Sequence, residues 1–294
     1  MSRLLEAIRA HAEAAPERIA IDPVTAPPIA YGSLAERVAE VLAGLELQAG
    51  NGPIALKLDH GAELALLELA LLEARVPVLS LPAFFTEAQC RHAIETSGAT
   101  RLLADGNAPG LYSPSRPLPL PAGTARITFT SGSTGTPKGV CLSEYHLRAV
   151  AEEVVRAVGA QHAGRHLALL PSGILLETVA GFFATLLAGG TYVCPPQALA
   201  GMGNPFRPDF ALLARRIAEW RITSLILVPE LLAGLVAVLE ASGERLPLLT
   251  LVAVGGARTS PELIARARAV GLPVRQGYGL TECGSVVALE DDGG

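Results

Sequence analysis

We expect an α/β protein made of layered parallel-sheet lobes flanked by helices, for three reasons. Short apolar runs alternate with longer amphipathic stretches along almost the whole sequence, a pattern typical of parallel sheets covered by helices. The chain has 294 residues, of which 50% are hydrophobic, enough to bury one large core or two modest ones. A proline- and glycine-rich stretch at 107–123 predicts a linker between an opening lobe of about 1–106 and a second lobe of 124–294.

The individual elements follow from apolar runs and helix signals. Strands are expected at 54–58, 76–81, 127–130, 167–170, 225–228 and 249–254. Helices are expected at 61–74, 143–158, 209–221, 230–242 and 260–270. Ser33 and Thr86 each precede Glu or Gln by three residues, which predicts a capping box, and Ser260 before Pro261 predicts a helix start.

Composition excludes several classes of function. A formal charge of −5 without a basic stripe argues against nucleic-acid binding. Four widely spaced cysteines without a Cys-x-x-Cys pair favour a reducing cytoplasm. The apolar stretch 173–193 includes Gly181, Gly189 and Gly190, which favours a buried helix running into a strand over a membrane span. His162 and His166 lack an accompanying carboxylate, so we interpret them as structural residues and not as a metal site.

The strongest functional signal lies at 127–143, where an apolar run ends in a loop of hydroxyl and glycine residues. The candidate phosphate-binding residues of this loop are Thr130, Ser131, Gly132, Ser133, Thr134 and Gly135. Glycines let backbone N–H groups converge on an anion, hydroxyls donate to phosphate oxygens, and Lys138 adds a positive charge. A Walker loop would place its lysine before Ser or Thr at a helix start. Lys138 instead precedes Gly139 and another apolar run, which disfavours a P-loop hydrolase and predicts a loop between two strands.

This loop and two later segments resemble the adenylate-forming superfamily, which comprises acyl- and aryl-CoA ligases, the adenylation domains of peptide synthetases, and luciferase. The loop Thr-Ser-Gly-Ser-Thr-Gly-Thr-Pro-Lys-Gly is similar to the signature of that family. Residues 252–258 resemble its strand and turn against adenine, and residues 276–282 resemble its Tyr-Gly-x-Thr-Glu motif. The three segments follow each other in the order found in the family.

The resemblance implies ATP-dependent activation of a carboxylic acid as an acyl-adenylate, followed by thioester formation on CoA or a carrier protein. It implies that the loop and Lys138 hold the outer phosphates, that Thr281 contacts the α-phosphate, and that Glu282 holds Mg²⁺; Lys138, Thr281 and Glu282 are thus the expected catalytic residues. Tyr278 would stack on adenine. Further nucleotide contacts are expected from Gly255, Gly256, Ala257, Gln276, Gly277 and Gly279.

The resemblance also implies an acid-binding segment at 170–181, in which we expect Glu177, Thr178 and Gly181 to face the substrate. Many CoA ligases carry histidine about where Thr178 falls, so this chain departs from them there. The surrounding side chains are apolar, and no aspartate stands ready for an amino group. These features favour a fatty or other apolar acid over an amino acid.

The family pattern continues beyond position 294 to a ribose-binding aspartate, a hinge and a small C-terminal domain with a catalytic lysine. We therefore expect the chain to be an AMP-binding N-terminal domain, weakly active or inactive without a separate C-terminal domain. The apolar run 286–289 is expected to be a strand whose partner would come later in the chain. Two alternatives stay open, a non-catalytic module that binds nucleotide or acyl-AMP and one subunit of a split ligase.

Overall fold

The computed structural model describes residues 2–47, 52–106, 110–115, 117–130, 137–204 and 207–291, and it contains two sheets with helices packed on their faces. The expected α/β architecture is therefore confirmed. Both sheets are mainly parallel, with antiparallel pairs only toward their edges.

The first sheet has the order β6-β5-β3-β4-β7-β8. Its strands, in chain order, are β3 Ile54–Lys57, β4 Val78–Ser80, β5 Arg101–Ala104, β6 Gly110–Leu111, β7 Thr124–Thr130 and β8 Lys138–Ser143. The second sheet has the order β14-β13-β12-β11-β9-β10-β1-β2. Its strands are β1 Ile19–Asp22, β2 Ile29–Ala30, β9 Arg165–Leu167, β10 Thr191–Val193, β11 Ser224–Leu227, β12 Leu251–Val254, β13 Val274–Tyr278 and β14 Ala288–Leu289.

Helices connect the strands and cover both sheets. The α-helices are α1 Arg3–Ala14, α2 Tyr31–Gly44, α3 Ala62–Glu73, α4 Glu87–Ser97, α5 Glu144–Val158, α6 Ala184–Leu187, α7 Phe210–Glu219, α8 Pro229–Ser242 and α9 Pro261–Ala269. A π-helical segment, Glu177–Phe183, leads directly into α6. The buried helix expected at 173–193 thus exists and runs into β10. Among the described residues, no helix is long and apolar enough to cross a membrane.

The sheets divide the chain differently from the two expected lobes. β7 pairs with β4, so the strand that enters the phosphate loop belongs to the sheet of the opening segment. β1 pairs in parallel with β10, so part of the first hundred residues completes the second sheet. The stretch 107–123 is therefore not a boundary between sheets, because the strands on either side of it lie in the same one.

Two of the three predicted helix starts are confirmed. Thr86 accepts from the backbone of Gln89 and forms the complete capping box, and Ser260 accepts from the backbone of Leu263 with Pro261 as the first helical residue. The prediction for Ser33 is wrong, because α2 begins at Tyr31 and the Ser33 hydroxyl donates to the carbonyl of Ala30. The Tyr31 ring is buried, and its hydroxyl donates to the carbonyls of Leu186 and Gly190. Tertiary packing therefore sets this helix start in place of the local capping signal.

β14 also differs from expectation. It pairs antiparallel with β13, through Gly277 with Leu289 and Tyr278 with Ala288. The partner of the expected strand at 286–289 therefore precedes it in the chain, and the pairing folds the segment between them back over the end of the second sheet.

Candidate functional site

A cavity of about 840 Å³ opens where the parallel strands of the second sheet reach their carboxyl ends, and its walls include residues from both sheets. Ligands in open α/β sheets bind at this edge, where several strand ends and their loops converge. The cavity has two parts, an end lined by glycines and hydroxyls and an apolar channel that runs beneath α5.

The first part, here called the glycine end, gathers two of the predicted motifs. Its lining includes Gly255, Gly256, Gly277, Tyr278, Gly279 and Thr281. β12 and β13 are adjacent parallel strands, which explains why motifs that lie 20 residues or more apart in the sequence meet here. Tyr278 is 62% exposed and offers a free aromatic face at the cavity wall. Gly279 admits no side chain, because a Cβ there would lie 1.5 Å from the Ser285 carbonyl oxygen.

The phosphate loop approaches from the first sheet. Thr130 ends β7 and pairs with Lys138, which begins β8, as expected for a loop between two strands. Thr130 and Pro137 line the cavity, and Lys138 is exposed. The loop residues Ser131, Gly132, Ser133, Thr134 and Gly135 lie outside the described residues.

Three other predicted residues lie beside the cavity and not in its lining. Ala257, Gln276 and Glu282 are exposed. The backbone N–H of Gln276 donates to the Glu290 carboxylate over 3.0 Å. No cluster of three metal-binding side chains occurs within the described ranges, so Glu282 is a single carboxylate next to Thr281.

The second part of the cavity, here called the channel, passes between helices and sheet. α5 contributes Val154, Val155 and Val158, the opposite wall consists of Ala180, Ala184, Thr185 and Ala188, and the sheet contributes Ser224, Ile226, Leu251 and Ala253. Alanines spaced by four residues present a smooth helix face, which leaves room between that helix and α5. Sequence reasoning missed these residues, although the spacing of the alanines was a usable signal.

Glu177, Thr178 and Gly181 do not line this cavity, which corrects the expected acid-binding residues. The Glu177 carboxylate is 2% exposed and turned away into a buried polar network. Its oxygens accept from the backbone N–H groups of Leu169 and Leu170 over 3.4 and 3.3 Å. His166 Nε2 lies 3.2 Å from Oε1, and the Tyr192 hydroxyl donates to the same oxygen over 3.4 Å.

This network is consistent with a buried carboxylate that is stabilised by several donors. Burial and the neighbouring Glu177 charge hold the pKa of Tyr192 well above its ordinary value, so the phenol keeps its proton and donates. The network supports the cavity from behind, because Leu169 and Leu170 are themselves part of the cavity wall.

Thr178 belongs to a second buried group. Its hydroxyl accepts from Arg126 Nη2 over 2.9 Å, and Arg126 Nη1 donates to Glu68 over 2.6 Å. Glu177, Thr178 and Glu68 border a separate cavity of about 20 Å³, a volume that fits one water molecule. These buried contacts of Arg126, Glu68 and Thr178 connect β7 of the first sheet to α3 and to the π-helical segment. They therefore hold these elements together around the site.

The far end of the channel carries polar atoms. Ser224 Oγ lies 3.1 Å from His166 Nδ1 and is buried. His162, in the 3₁₀ turn Ala160–Ala163 after α5, also lines the cavity. Burial first, and then the charge of Arg275, lower the pKa of His162, opposed by a hydrogen bond with the backbone of Thr250. Neither histidine forms a metal cluster in the described part of the chain.

Comparison with known proteins identifies the family. Residues 106–294 match the family model described as AMP-binding enzyme. The phosphinothricin tripeptide synthetase PhsC of Streptomyces viridochromogenes is 29% identical over 78% of this chain and 22% of its own length. A long-chain-fatty-acid–CoA ligase of Thermus thermophilus is 34% identical over 55% of this chain and 28% of its own length. The chain thus spans less than a third of either relative.

The fold has a solved counterpart. The N-terminal subdomain of NpsA from Klebsiella oxytoca superposes with a TM-score of 0.79 at 23% identity, over 98% of this chain and 75% of that one. Three observations agree with one another: the glycine end formed by β12 and β13, the pairing of Thr130 with Lys138, and the family match over 106–294. This chain belongs to the family of AMP-binding enzymes.

Proposed function

We propose that this chain binds ATP and activates an apolar carboxylic acid, most simply a fatty acid, as an acyl-adenylate for transfer to a thiol of CoA or of a carrier protein. One observation supports this most directly: the glycine end and the apolar channel are parts of one continuous cavity. A nucleotide at the glycine end and an acid in the channel would therefore meet head to head.

The proposed reaction is a displacement at phosphorus. A carboxylate oxygen attacks the α-phosphorus of ATP, the bond from that phosphorus to the bridging oxygen breaks, and pyrophosphate leaves. In a second step a thiol attacks the acyl carbon and AMP leaves. Such chemistry depends mainly on positioning and on neutralising phosphate charge.

The proposed residue roles rest on the family resemblance and agree with the presence of these residues in the cavity lining. Tyr278 would supply a stacking face for adenine, Gly255 and Gly256 would form the opposite wall, and Thr281 would contact the α-phosphate. Lys138 is exposed, and among the described residues no carboxylate pairs with it, so its charge is available to the outer phosphates. Ala257, Gln276, Gly277 and Gly279 would complete the nucleotide surroundings.

Glu282 fits a magnesium ligand in its donor type. Its exposed carboxylate has no ion pair or hydrogen bond within the described structure, and proteins hold Mg²⁺ with one or two carboxylates plus substrate phosphates. When bound, the ion would neutralise charge on the phosphates during the displacement.

An apolar acid is supported by the channel walls. Valines, alanines, Ile226 and Leu251 surround it, and burying apolar area there favours a hydrocarbon tail by about 25 cal/mol per Å². The one carboxylate among the described lining residues, Glu230, follows β11 near the glycine end. No aspartate of the described lining would pair with the ammonium group of an amino acid.

We also place the protein in a reducing cytoplasm, because Cys90, Cys141, Cys194 and Cys283 are all free thiols.

ATP–pyrophosphate exchange tests the proposal. The chain is given MgATP, labelled pyrophosphate and, in turn, octanoate, decanoate, dodecanoate, benzoate or leucine. Exchange that depends on a fatty acid and is abolished by Lys138→Ala supports the proposal, with Lys57→Ala, on β3 of the same sheet, as the lysine control. Calorimetric MgATP binding without exchange would favour the alternatives of a binding module or a split subunit. Absence of both binding and exchange would contradict the assignment.

A further inference from the structure

A histidine of α4 holds the end of the phosphate loop. His92 Nε2 lies 3.2 Å from the carbonyl oxygen of Pro137, the residue immediately before Lys138. A carbonyl oxygen only accepts, so Nε2 is the donor in this hydrogen bond. Proline has no backbone N–H, so this carbonyl is the one backbone hydrogen-bonding group by which Pro137 can be anchored.

The same ring also contacts the strand that enters the loop. The rings of His92 and Phe129 meet edge to face, with centroids 5.9 Å apart and an interplanar angle of 80°, a favourable arrangement for aromatic pairs. Phe129 is buried and pairs with Gly139 across the two strands. A Cβ at Gly139 would lie 3.2 Å from the Phe129 ring, so glycine lets this ring lie close against β8. His92 therefore contacts the chain just before the loop and just after it.

The position of β8 makes an anchor of this kind important. β8 lies at one edge of the first sheet and is paired with β7 alone in the described sheet order. The pair of Thr130 with Lys138 is the last one before the loop. Terminal pairs open more readily than the middle of a strand. The hydrogen bond from α4 holds the neighbouring Pro137 from outside the sheet and therefore opposes such opening.

His92 acts on the site from behind the cavity wall. Phe129 and Pro137 belong to the cavity lining, whereas His92 does not. Lys138 is exposed and carries its charge on a flexible four-carbon stem, so the reach of its ammonium group depends on where the backbone holds its Cα. The contact that fixes the backbone at Pro137 therefore also limits the positions that this charge can take.

We propose that His92 is a positioning residue for the outer phosphates of ATP. By holding the Pro137 carbonyl it sets the place of Lys138, whose charge acts on the β- and γ-phosphates. This inference rests on the proposed function, because it assigns His92 a part in binding the same nucleotide.

The test compares two nucleotides that differ in their outer phosphates. AMP lacks the β- and γ-phosphates, so its binding should not depend on the place of Lys138. His92→Phe keeps a ring against Phe129 and removes the donor. Calorimetry of the whole chain measures the dissociation constants of MgATP and of AMP. We expect His92→Phe to bind MgATP about fivefold more weakly, the net effect of one hydrogen bond, and AMP within about twofold of the wild type.

Two further variants separate positioning from general damage. His92→Gln places an amide donor close to where Nε2 lies and should restore MgATP affinity to within about twofold of the wild type. His11→Phe is the matched control, because His11 Nε2 also lies 2.7 Å from a backbone carbonyl, that of Leu187, and its ring packs against Tyr31. His11 is outside the cavity lining, so this variant should leave both dissociation constants unchanged even where its melting temperature falls.

A double-mutant cycle tests whether His92 acts through Lys138. If it does, His92→Phe should have little further effect on MgATP binding in a Lys138→Ala background, so that the two losses do not add. An equal loss in both backgrounds would overturn the route through Lys138.

The outcomes are distinguishable. Unchanged MgATP binding in His92→Phe, or equal losses for MgATP and AMP, would overturn the positioning role and leave the proposed function intact. If His92→Gln binds MgATP as weakly as His92→Phe does, the hydrogen bond is not the cause. Absence of MgATP and AMP binding by the wild-type chain would overturn the proposed function itself, and this inference with it.

Discussion

Glu177 and Gly181 share one turn of the π-helical segment, and the carboxylate occupies the space that a side chain at position 181 would need. A Cβ on Gly181 would lie 2.2 Å from Glu177 Oε1 and 2.9 Å from His166 Nε2. Glycine at this position therefore allows the buried network to close behind the Leu169–Leu170 wall of the cavity.

Gly181→Ala should destabilise the fold. The added methyl group has to displace a buried, hydrogen-bonded carboxylate, and overpacking of this kind costs about 1–3 kcal/mol in free energy of unfolding. Urea denaturation measures the change. Gly44→Ala is the matched control, because nothing lies within 4 Å of its added Cβ. It should be neutral or stabilising by up to about 1 kcal/mol. Equal effects of both substitutions would contradict the packing argument.

Removing one partner of the buried Arg126–Glu68 ion pair should destabilise the fold strongly. Their side chains are 2% and 9% exposed, so Glu68→Gln leaves the guanidinium buried without its counter-charge. Breaking a buried pair from one side costs about 3–5 kcal/mol, measured as free energy of unfolding. Glu153→Gln, at an ion pair that is 70% and 66% exposed, should change stability by less than about 0.5 kcal/mol. Similar losses for both variants would show that burial is not the cause.

Tyr278→Ala should weaken MgATP binding by about fivefold, because stacking on an aromatic ring contributes about 1 kcal/mol beyond area burial. Calorimetry measures the dissociation constant. Tyr145→Ala is the control, since Tyr145 is 66% exposed and lies outside the cavity lining. An unchanged dissociation constant in Tyr278→Ala would exclude this ring from the nucleotide site.

Ala184→Leu should narrow the channel. Ala184 is 5% exposed and lines the cavity, so a larger side chain enters the space proposed for the acid. We expect at least a tenfold loss of decanoate affinity from lost burial, with MgATP affinity unchanged. Ala35→Leu, at an exposed position of α2, should leave both affinities as they are. A parallel loss of MgATP affinity would mean that the substitution disturbs the glycine end as well as the channel.

The Glu290 carboxylate should make the free energy of unfolding depend on pH in the acidic range. The backbone N–H of Gln276, and then Arg268, lower the pKa of this carboxyl below its ordinary value of 4.5. The unfolded chain therefore binds the proton more readily, so the stabilisation is fully present above pH 4.5 and is lost as pH falls through the folded-state pKa. Glu290→Gln should lower the melting temperature at pH 7 and have a smaller effect at pH 3. Equal effects at both pH values would contradict this assignment.

Local signals in the sequence were sufficient for most elements and for locating two glycine motifs that line the cavity. The apolar runs that became β3, β11 and β12 lie close to their expected positions, because buried parallel strands are continuously apolar. The glycine motifs at 255–256 and 277–279 likewise meet in one cavity, since each is contiguous in the chain.

The features that could not be predicted are those that depend on distant partners or on irregular helix geometry. Nothing local to Ile19–Asp22 indicates pairing with Thr191–Val193. The expectation for Glu177, Thr178 and Gly181 came from the family resemblance, which does not indicate how a π-helical turn, with its inserted residue, rotates the side chains of this segment. Glu177 and Thr178 accordingly face the buried networks, whereas Ala180 and Ala184 face the channel.

The position of β1 between β10 and β2 has a consequence for how the molecule forms. Ile21 is paired with Tyr192, so during synthesis this early strand waits until more than 170 further residues have left the ribosome. Closing so long a loop has a high entropic cost, and non-local pairing slows folding. While it waits, an apolar strand with unpaired backbone groups is open to wrong partners. We therefore expect assembly of the second sheet to be a slow and aggregation-prone stage of folding.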